Sequence, residues 1–270
     1  IWRINTRTQE LKREPVPETW QRLGGRGLTA RIMVDAVDAT SEPLGPGNKL
    51  IFTPGLLVGH ILSSTDRISV GGKSPLTGGI KEANAGGRTG YHMAFMGIHA
   101  LILEDMPEKD GYWVLHLSLN DGAKWERADE LVGLGVYETA PKLIEKYGDK
   151  VAISLIGPGG EMRMKSAGIQ NLDKDKIPSR IAARGGLGAV MGSKGLKAIV
   201  FDHTGGQKPP IADVEAFKVA QKDYTQSVMN HPQSVTYREY GTQAMPQMTQ
   251  NFAALPTHNF ARGTVDDVEK

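Results

Sequence analysis

Short apolar runs broken by glycine dominate the first 205 residues. The run "NKLIFTPGLLVG" (48–59) has the length of a strand and stops in a turn of proline and glycine; "DKVAISLIGPGGE" (149–161) repeats the plan. Each is followed by an alternating segment, "DRISVGG" (66–72) and "EMRMKSAG" (161–168), which predicts a second strand. Next come two glycine-rich stretches able to form helices, "GGRTGYHMAFMG" (86–97) and "SRIAARGGLGAVMG" (179–192). Both series end in a strand closed by an acid, "HALILED" (99–105) and "LKAIVFD" (196–202). Strand, turn, strand, glycine-rich stretch, helix and strand thus occur twice, which predicts an internal duplication with a pseudo-twofold axis. On pattern alone, a chance recurrence of strand-helix-strand order stays open.

The pattern changes at "TGGQKPP" (204–210). Apolar residues then fall at helical spacing through "IADVEAFKVAQKDYTQSVMN" (211–230), behind an aspartate placed to cap the helix. From 231 onward the chain is polar, rich in Thr, Gln and Asn, and without clear periodicity. The expected organisation is an α+β domain over 1–205 made of two related halves. The start of a helical second domain, incomplete here, follows over 206–270.

Composition narrows the function classes. The 32 basic and 30 acidic residues leave a net charge of +2, which gives no argument for nucleic acid or an anionic membrane as partner. No apolar run approaches the roughly 18 residues a membrane span needs. Cysteine is absent, which excludes disulfides and thiolate ligands within these residues, whereas glycine is abundant at 33. The chain begins at Ile1 and no signal-peptide pattern follows, so the natural start is expected further upstream. The expected location is cytoplasmic.

Another glycine-rich stretch in the first series is "SPLTGGIKEANAGG" (74–87). Glycine at that density weakens regular structure and is of use where a backbone must approach something closely. A nucleotide is one candidate ligand. "GLGAVMG" (186–192) is near a dinucleotide fingerprint, but "KIPSRIAAR" before it does not look like a strand, and Asp202 ends the next strand too early for a ribose contact. "GSKG" (192–195) lacks the spacing of a phosphate-binding P-loop.

Four separated segments in consistent order carry a more specific signal: "GGRGLTARIM" (24–33), "PLGPGNKLIFTPGLLVG" (43–59), "SPLTGGIKEANAGG" and "RGGLGAVMGSKGLKAIVF" (184–201). Together they resemble the N-terminal domain of the aldehyde ferredoxin oxidoreductase family, from residue 1 to about 205. The resemblance implies a base of two pseudo-twofold related sheets carrying tungsten, or molybdenum, between two pyranopterin dithiolenes. It also implies Mg²⁺ bridging the pterin phosphates. By position, Asn84 and Ile181 would supply backbone carbonyls to the Mg²⁺, a sensible hard-oxygen set. Gly86 would lie against a pterin. Arg180, Ile181, Ala183 and Arg184 would form the other cofactor segment, the arginines suiting phosphates through their forked donors. Arg67 would lie between a pterin and a neighbouring 4Fe-4S cluster. The implied reaction oxidises an aldehyde to a carboxylate and passes electrons to ferredoxin, and the resemblance admits a homodimer.

Each assignment has a plainer reading beside it. Arg67 reads equally as a surface arginine at a strand end, and Asn84 as an asparagine in a left-handed turn. Arg26 could reach a ligand, although a tight turn explains its neighbouring glycines as well. His60, His92, His99 and His116 show no ligand spacing and read as packing or surface residues, Met93 and Met96 read as core fillers, and nothing assigns "HNFARG" (258–263). The family's cluster cysteines are missing, and no catalytic residue is identified. This favours the front part of a longer enzyme whose cluster ligands and catalytic groups lie downstream. Two other classes remain: a nucleotide-dependent oxidoreductase, and a non-catalytic platform or assembly subunit.

Overall fold

In the computed structural model, which describes residues 1–266, the chain divides into two compact units, 1–210 and 211–270. The first unit opens with β1 (Trp2–Asn5), β2 (Leu11–Arg13) and helix α1 (Gly25–Ala36). It continues through β3 (Leu50–Pro54), β4 (Ile68–Lys73), β5 (Ile80–Ala85), helix α2 (Thr89–Phe95) and β6 (Leu101–Glu104). The series then repeats as β7 (Trp113–Ser118), β8 (Gly122–Arg127), α3 (Val136–Tyr147) and β9 (Ala152–Leu155). A one-turn helix α4 (Pro158–Glu161) intervenes before β10 (Ile169–Asn171), β11 (Arg180–Ala182), α5 (Leu187–Ser193) and β12 (Leu196–Asp202).

The two sheets have the orders β2-β1-β6-β3-β4-β5 and β8-β7-β12-β9-β10-β11. Strand by strand they correspond. β1 and β7 pair parallel with β6 and β12, and every other pairing is antiparallel. Even the short 3-10 turns match, Glu18–Trp20 with Asp129–Leu131. The duplication is therefore real and larger than the sequence revealed: it covers all of 1–104 against 113–202. Its first quarter is hidden because β1, β2 and α1 share little residue pattern with β7, β8 and α3.

Alternation along the central strands explains the layering. Leu50 and Phe52 of β3, with Ile199 and Phe201 of β12, face a common core that also takes in Met93 of α2 and Val190 and Met191 of α5. The Phe52 and Phe201 rings lie 6.4 Å apart across it. The intervening residues point the other way: Ile51 meets Leu28, Ile32 and Met33 of α1, and Val200 and Ala198 meet Ala140 and Leu143 of α3. Each sheet is thus buried on both faces, which is why its central strands read as unbroken apolar runs.

Two local expectations are corrected. The segment 161–168 is not a strand: Gly157 and Pro158 open α4, Arg163 adopts φ 55°, and the matching strand begins only at Ile169. "KIPSRIAAR" does contain a strand, β11, which is held on one side only, by β10. β11 runs antiparallel to β12, so the β11–α5–β12 connection is not the parallel crossover of a dinucleotide fold.

In the second unit, α6 (Val214–Asn230) starts where Asp213 accepts a hydrogen bond from the Ala216 N–H at 2.9 Å. The region read as lacking periodicity holds two further helices, α7 (Pro232–Tyr240) and α8 (Pro246–Asn251). Each begins with proline at its first position, a start signal that short, polar helices carry in place of periodicity. Among the described residues no helix is long and apolar enough to cross a membrane.

Candidate functional site

The last strands of the two sheets, β5 and β11, lie beside each other, yet no backbone ladder joins them. A free strand edge presents alternating C=O and N–H groups without partners. Here two such edges, one from each half, border a cleft of about 620 Å³. Its lining comes from α1 (Arg26, Ala30), β5 (Ile80 to Asn84) and the β11 segment (Ile181, Ala183, Arg184).

Asn84 sits within β5, not in a left-handed turn, opposite Ser69 of β4, whose hydroxyl accepts from the Asn84 amide at 3.2 Å. The Asn84 side-chain oxygen takes a hydrogen bond from Arg67 Nε, which fixes the guanidinium at the strand end. Gly86 follows. A methyl placed there would touch Arg180 Cδ at 3.7 Å and Arg67 Nη1 at 3.9 Å, so the glycine lies between two arginine side chains. Gly87 is different: it adopts φ 103°, and a methyl would fall 2.6 Å from the Leu172 carbonyl oxygen of the other half. Within one Gly-Gly pair, the first glycine borders arginine side chains at ordinary contact distance and the second seals the two halves together.

The reciprocal joint lies at the other rim. Gly185 and Gly186 have φ 82° and 74°. A methyl at Gly185 would fall 2.2 Å from Lys81 Cγ, and the Gly185 carbonyl accepts from the buried Ser74 hydroxyl at 2.6 Å. Lys81 and Ser74 belong to the first half. Each half therefore holds the glycine-rich turn of the other, and the seven residues singled out from the sequence meet in one place. Arg67, Asn84 and Gly86 belong to the rim from the first half and Arg180, Ile181, Ala183 and Arg184 to that from the second; of these, Asn84, Ile181, Ala183 and Arg184 line the cleft itself.

Lys81, Glu82 and Arg26 line the cleft as well, and only Arg26 stood out in the sequence. Arg26 pairs with Glu82 at 3.1 Å, while the second Glu82 oxygen, Oε1, is buried without a partner. The signal for Lys81 and Glu82 was adjacency to Asn84 in "IKEANA", a charged pair in a strand that carries otherwise small residues.

The histidines serve packing. Burial pushes His92 down to about 4; its Nδ1 lies 3.0 Å from the Phe201 carbonyl and its ring 4.1 Å from that of His203. His99 Nε2 meets the Trp20 carbonyl at 3.1 Å, and the His116 ring stacks on Tyr147. Met93 and Met96 are buried in the core. Among the described residues no group of three or more His, Cys, Asp or Glu is arranged to hold a metal.

The family model described as "aldehyde ferredoxin oxidoreductase, N-terminal domain" matches residues 1–203. The tungsten-containing aldehyde ferredoxin oxidoreductase of Thermococcus kodakarensis is 36% identical over 98% of this chain, which spans 43% of that protein. The Pyrococcus furiosus protein of the same description is 35% identical over 97% of the chain and 42% of its own length. Among solved structures, the active-site complex BamBC of benzoyl coenzyme A reductase, in complex with 1,5-dienoyl-CoA, aligns with a TM-score of 0.77 and 27% identity over 86% of this chain and 34% of its own. This chain thus spans less than half the length of these relatives. With the model covering both duplicated halves, the chain belongs to the aldehyde ferredoxin oxidoreductase family, of which residues 1–203 are the N-terminal domain.

Proposed function

We propose that the cleft between β5 and β11 is the seat of a tungsten, or molybdenum, bis-pyranopterin cofactor, and that this chain is the cofactor-holding part of an aldehyde-oxidising enzyme. The observation that carries the reading is the meeting of two free sheet edges, one from each half, beside clustered cations. A pseudo-symmetric pair of pterins suits a pseudo-symmetric pair of rims.

The residues present fit such a group. Arg180, Arg184 and Lys81 offer positive charge, and the arginines forked donors, for phosphates. The backbone carbonyls of Asn84 and Ile181, one from each edge, would serve as hard oxygen ligands to a Mg²⁺ bound with the phosphates. Gly86, bordered by flexible arginine side chains, would let a flat ring approach its backbone where a side chain would stand in the way. The unpartnered Glu82 Oε1 is an acceptor awaiting a donor. Arg67, held by Asn84, keeps a fixed positive charge beside that ring and so stabilises added negative charge on it.

When bound, the group supplies the redox chemistry: an aldehyde and water become a carboxylate with release of two electrons and three protons. The chain's own residues bind and orient it and hold charge near it; the catalytic groups, the 4Fe-4S cluster ligands and the wall that closes over the cleft belong to other parts of the protein. Ferredoxin as electron acceptor, an aldehyde as substrate and a cytoplasmic location are part of the same reading.

Metal and pterin analysis of protein purified from tungstate-supplied anaerobic cells tests it. The expected result is tungsten or molybdenum with two pterins per metal, lost in a folded Arg180→Glu/Arg184→Glu double variant. Bound nicotinamide dinucleotide would support the nucleotide-dependent alternative, and a stable, empty protein the assembly platform.

A further inference from the structure

A polar triangle lies inside the apolar core shared by the two sheets. Thr89, the first residue of α2, Ser154 of β9 and Asn171 of β10 are all fully buried. The Ser154 hydroxyl donates to Asn171 Oδ1 at 2.7 Å; Thr89 Oγ1 lies 2.9 Å from Ser154 Oγ and 3.1 Å from Asn171 Oδ1. The Asn171 amide nitrogen donates to the Arg180 carbonyl, its register neighbour on β11, at 3.2 Å. The chain from the first rim therefore enters the core at Thr89, three residues past Gly86, and is tied through two side chains to the backbone of the second rim. One residue beyond Asn171, the Leu172 carbonyl accepts from the Arg88 N–H at 2.9 Å, a second tie at the same joint.

Apolar contacts could fill this volume at less cost. Burying three polar side chains is unfavourable unless each finds its partners, and a satisfied network fixes direction in a way that methyl contacts do not. The direction fixed here runs from one rim of the cleft to the other. Other buried polar groups also cross between the halves, as His92 does to the Phe201 carbonyl and Lys194 to that of Asn48; the triangle does so at the point where both rims begin.

We infer that Thr89, Ser154 and Asn171 form a positioning strut that sets the spacing of the two cleft rims, and so the ability of the protein to load its cofactor. The inference rests on the reading of the cleft as a cofactor seat. Asn171 is the pivot, because its oxygen serves the half-one side and its nitrogen the half-two side. Ser74 acts as the counterpart, holding the Gly185 carbonyl of the second rim from the first half.

The test compares Thr89→Val, which keeps the shape and removes the hydroxyl, with Thr89→Ser, which keeps the hydroxyl, in the full-length protein. Two readouts are taken: amide hydrogen exchange of 84–88 and 180–184 in metal-free protein, and tungsten and pterin per folded chain. Thr89→Val is expected to raise exchange in both segments about tenfold or more while β1, β2, β7 and β8 stay as protected as before. Cofactor content per folded chain falls in parallel, and Thr89→Ser restores both. Unchanged rim exchange with normal loading in Thr89→Val overturns the inference. So does a uniform rise in exchange across residues 1–210 with normal loading, the mark of a merely structural role. If Thr89→Val does not fold, Thr89→Ala, which removes the same hydroxyl with a smaller side chain, takes its part with the same criteria. If the wild-type protein holds no tungsten or molybdenum pterin, the cofactor reading fails while the exchange comparison still decides whether the strut exists.

Discussion

At the scale of single residues, Lys194 shows how the second half is fastened to the first. Its side chain is fully buried, and its ammonium donates to the Asn48 carbonyl at 2.6 Å and lies 3.4 Å from that of Gly45. Among the described residues no carboxylate pairs with it directly, and burial, aided by the nearby Lys49 charge, pushes it down to about 7. An unfolded lysine holds its proton up to roughly pH 10.4. Between about 7 and that value the unfolded chain binds the extra proton, so stability rises with pH across this window; below it the burial penalty is present in full. The melting temperature of the wild type is therefore expected to gain on that of Lys194→Met as pH rises from 7 to 10. Parallel melting curves across that range would contradict the buried, uncompensated lysine. Nothing in "GSKG" announced this role. A lysine between glycines reads as an exposed or phosphate-facing charge, and only the fold brings the carbonyls of 45–48 to it.

Helix α5 carries the lesson at the scale of elements. Its string "GLGAVMG" resembles a ligand-binding loop, yet its glycines serve close packing of backbone on backbone. A methyl at Gly188 would fall 2.3 Å from the Gly168 carbonyl oxygen, and one at Gly192 would fall 2.0 Å from that of Gly160. Helix propensity alone favours Gly→Ala by about 1 kcal/mol. The obstacle is backbone, which cannot swing aside, and overpacking of this kind costs about 1–3 kcal/mol or more. Gly188→Ala and Gly192→Ala are thus each expected to lower stability in urea melts; a gain would show that α5 has room to shift. The elements themselves were legible where burial on both faces left apolar runs, as in β3, β9 and β12. They were not legible where the strand is short and an edge. β11 has three residues, two of them exposed, so the polar "SRIAAR" carries no alternation to read. The segment 161–168 failed for the opposite reason: its alternation of methionine with charge belongs to a turn, where Met162 and Met164 point into solvent.

On the scale of the whole molecule, duplication is the organising fact. Two halves of the same order share one core, exchange their glycine-rich turns, and leave the free edges of both sheets side by side. The sequence showed the repeat from 45 onward, because turns of glycine and proline and closing acids survive in both copies, but not the earlier β-β-α units. Of the site, the residues carried by family motifs were identifiable, whereas Lys81, Glu82 and the buried triangle depend on which strand ends as neighbour to which. The account stands on the cleft between β5 and β11 holding the metal cofactor. Anomalous diffraction at the tungsten absorption edge, from crystals of the full-length protein, tests this most directly. A peak over the β5–β11 face, with phosphate density beside Asn84, Ile181 and Arg184, is the result expected. Tungsten bound on any other face of the 1–210 unit, or a β5–β11 cleft filled by protein side chains in the loaded enzyme, would contradict it.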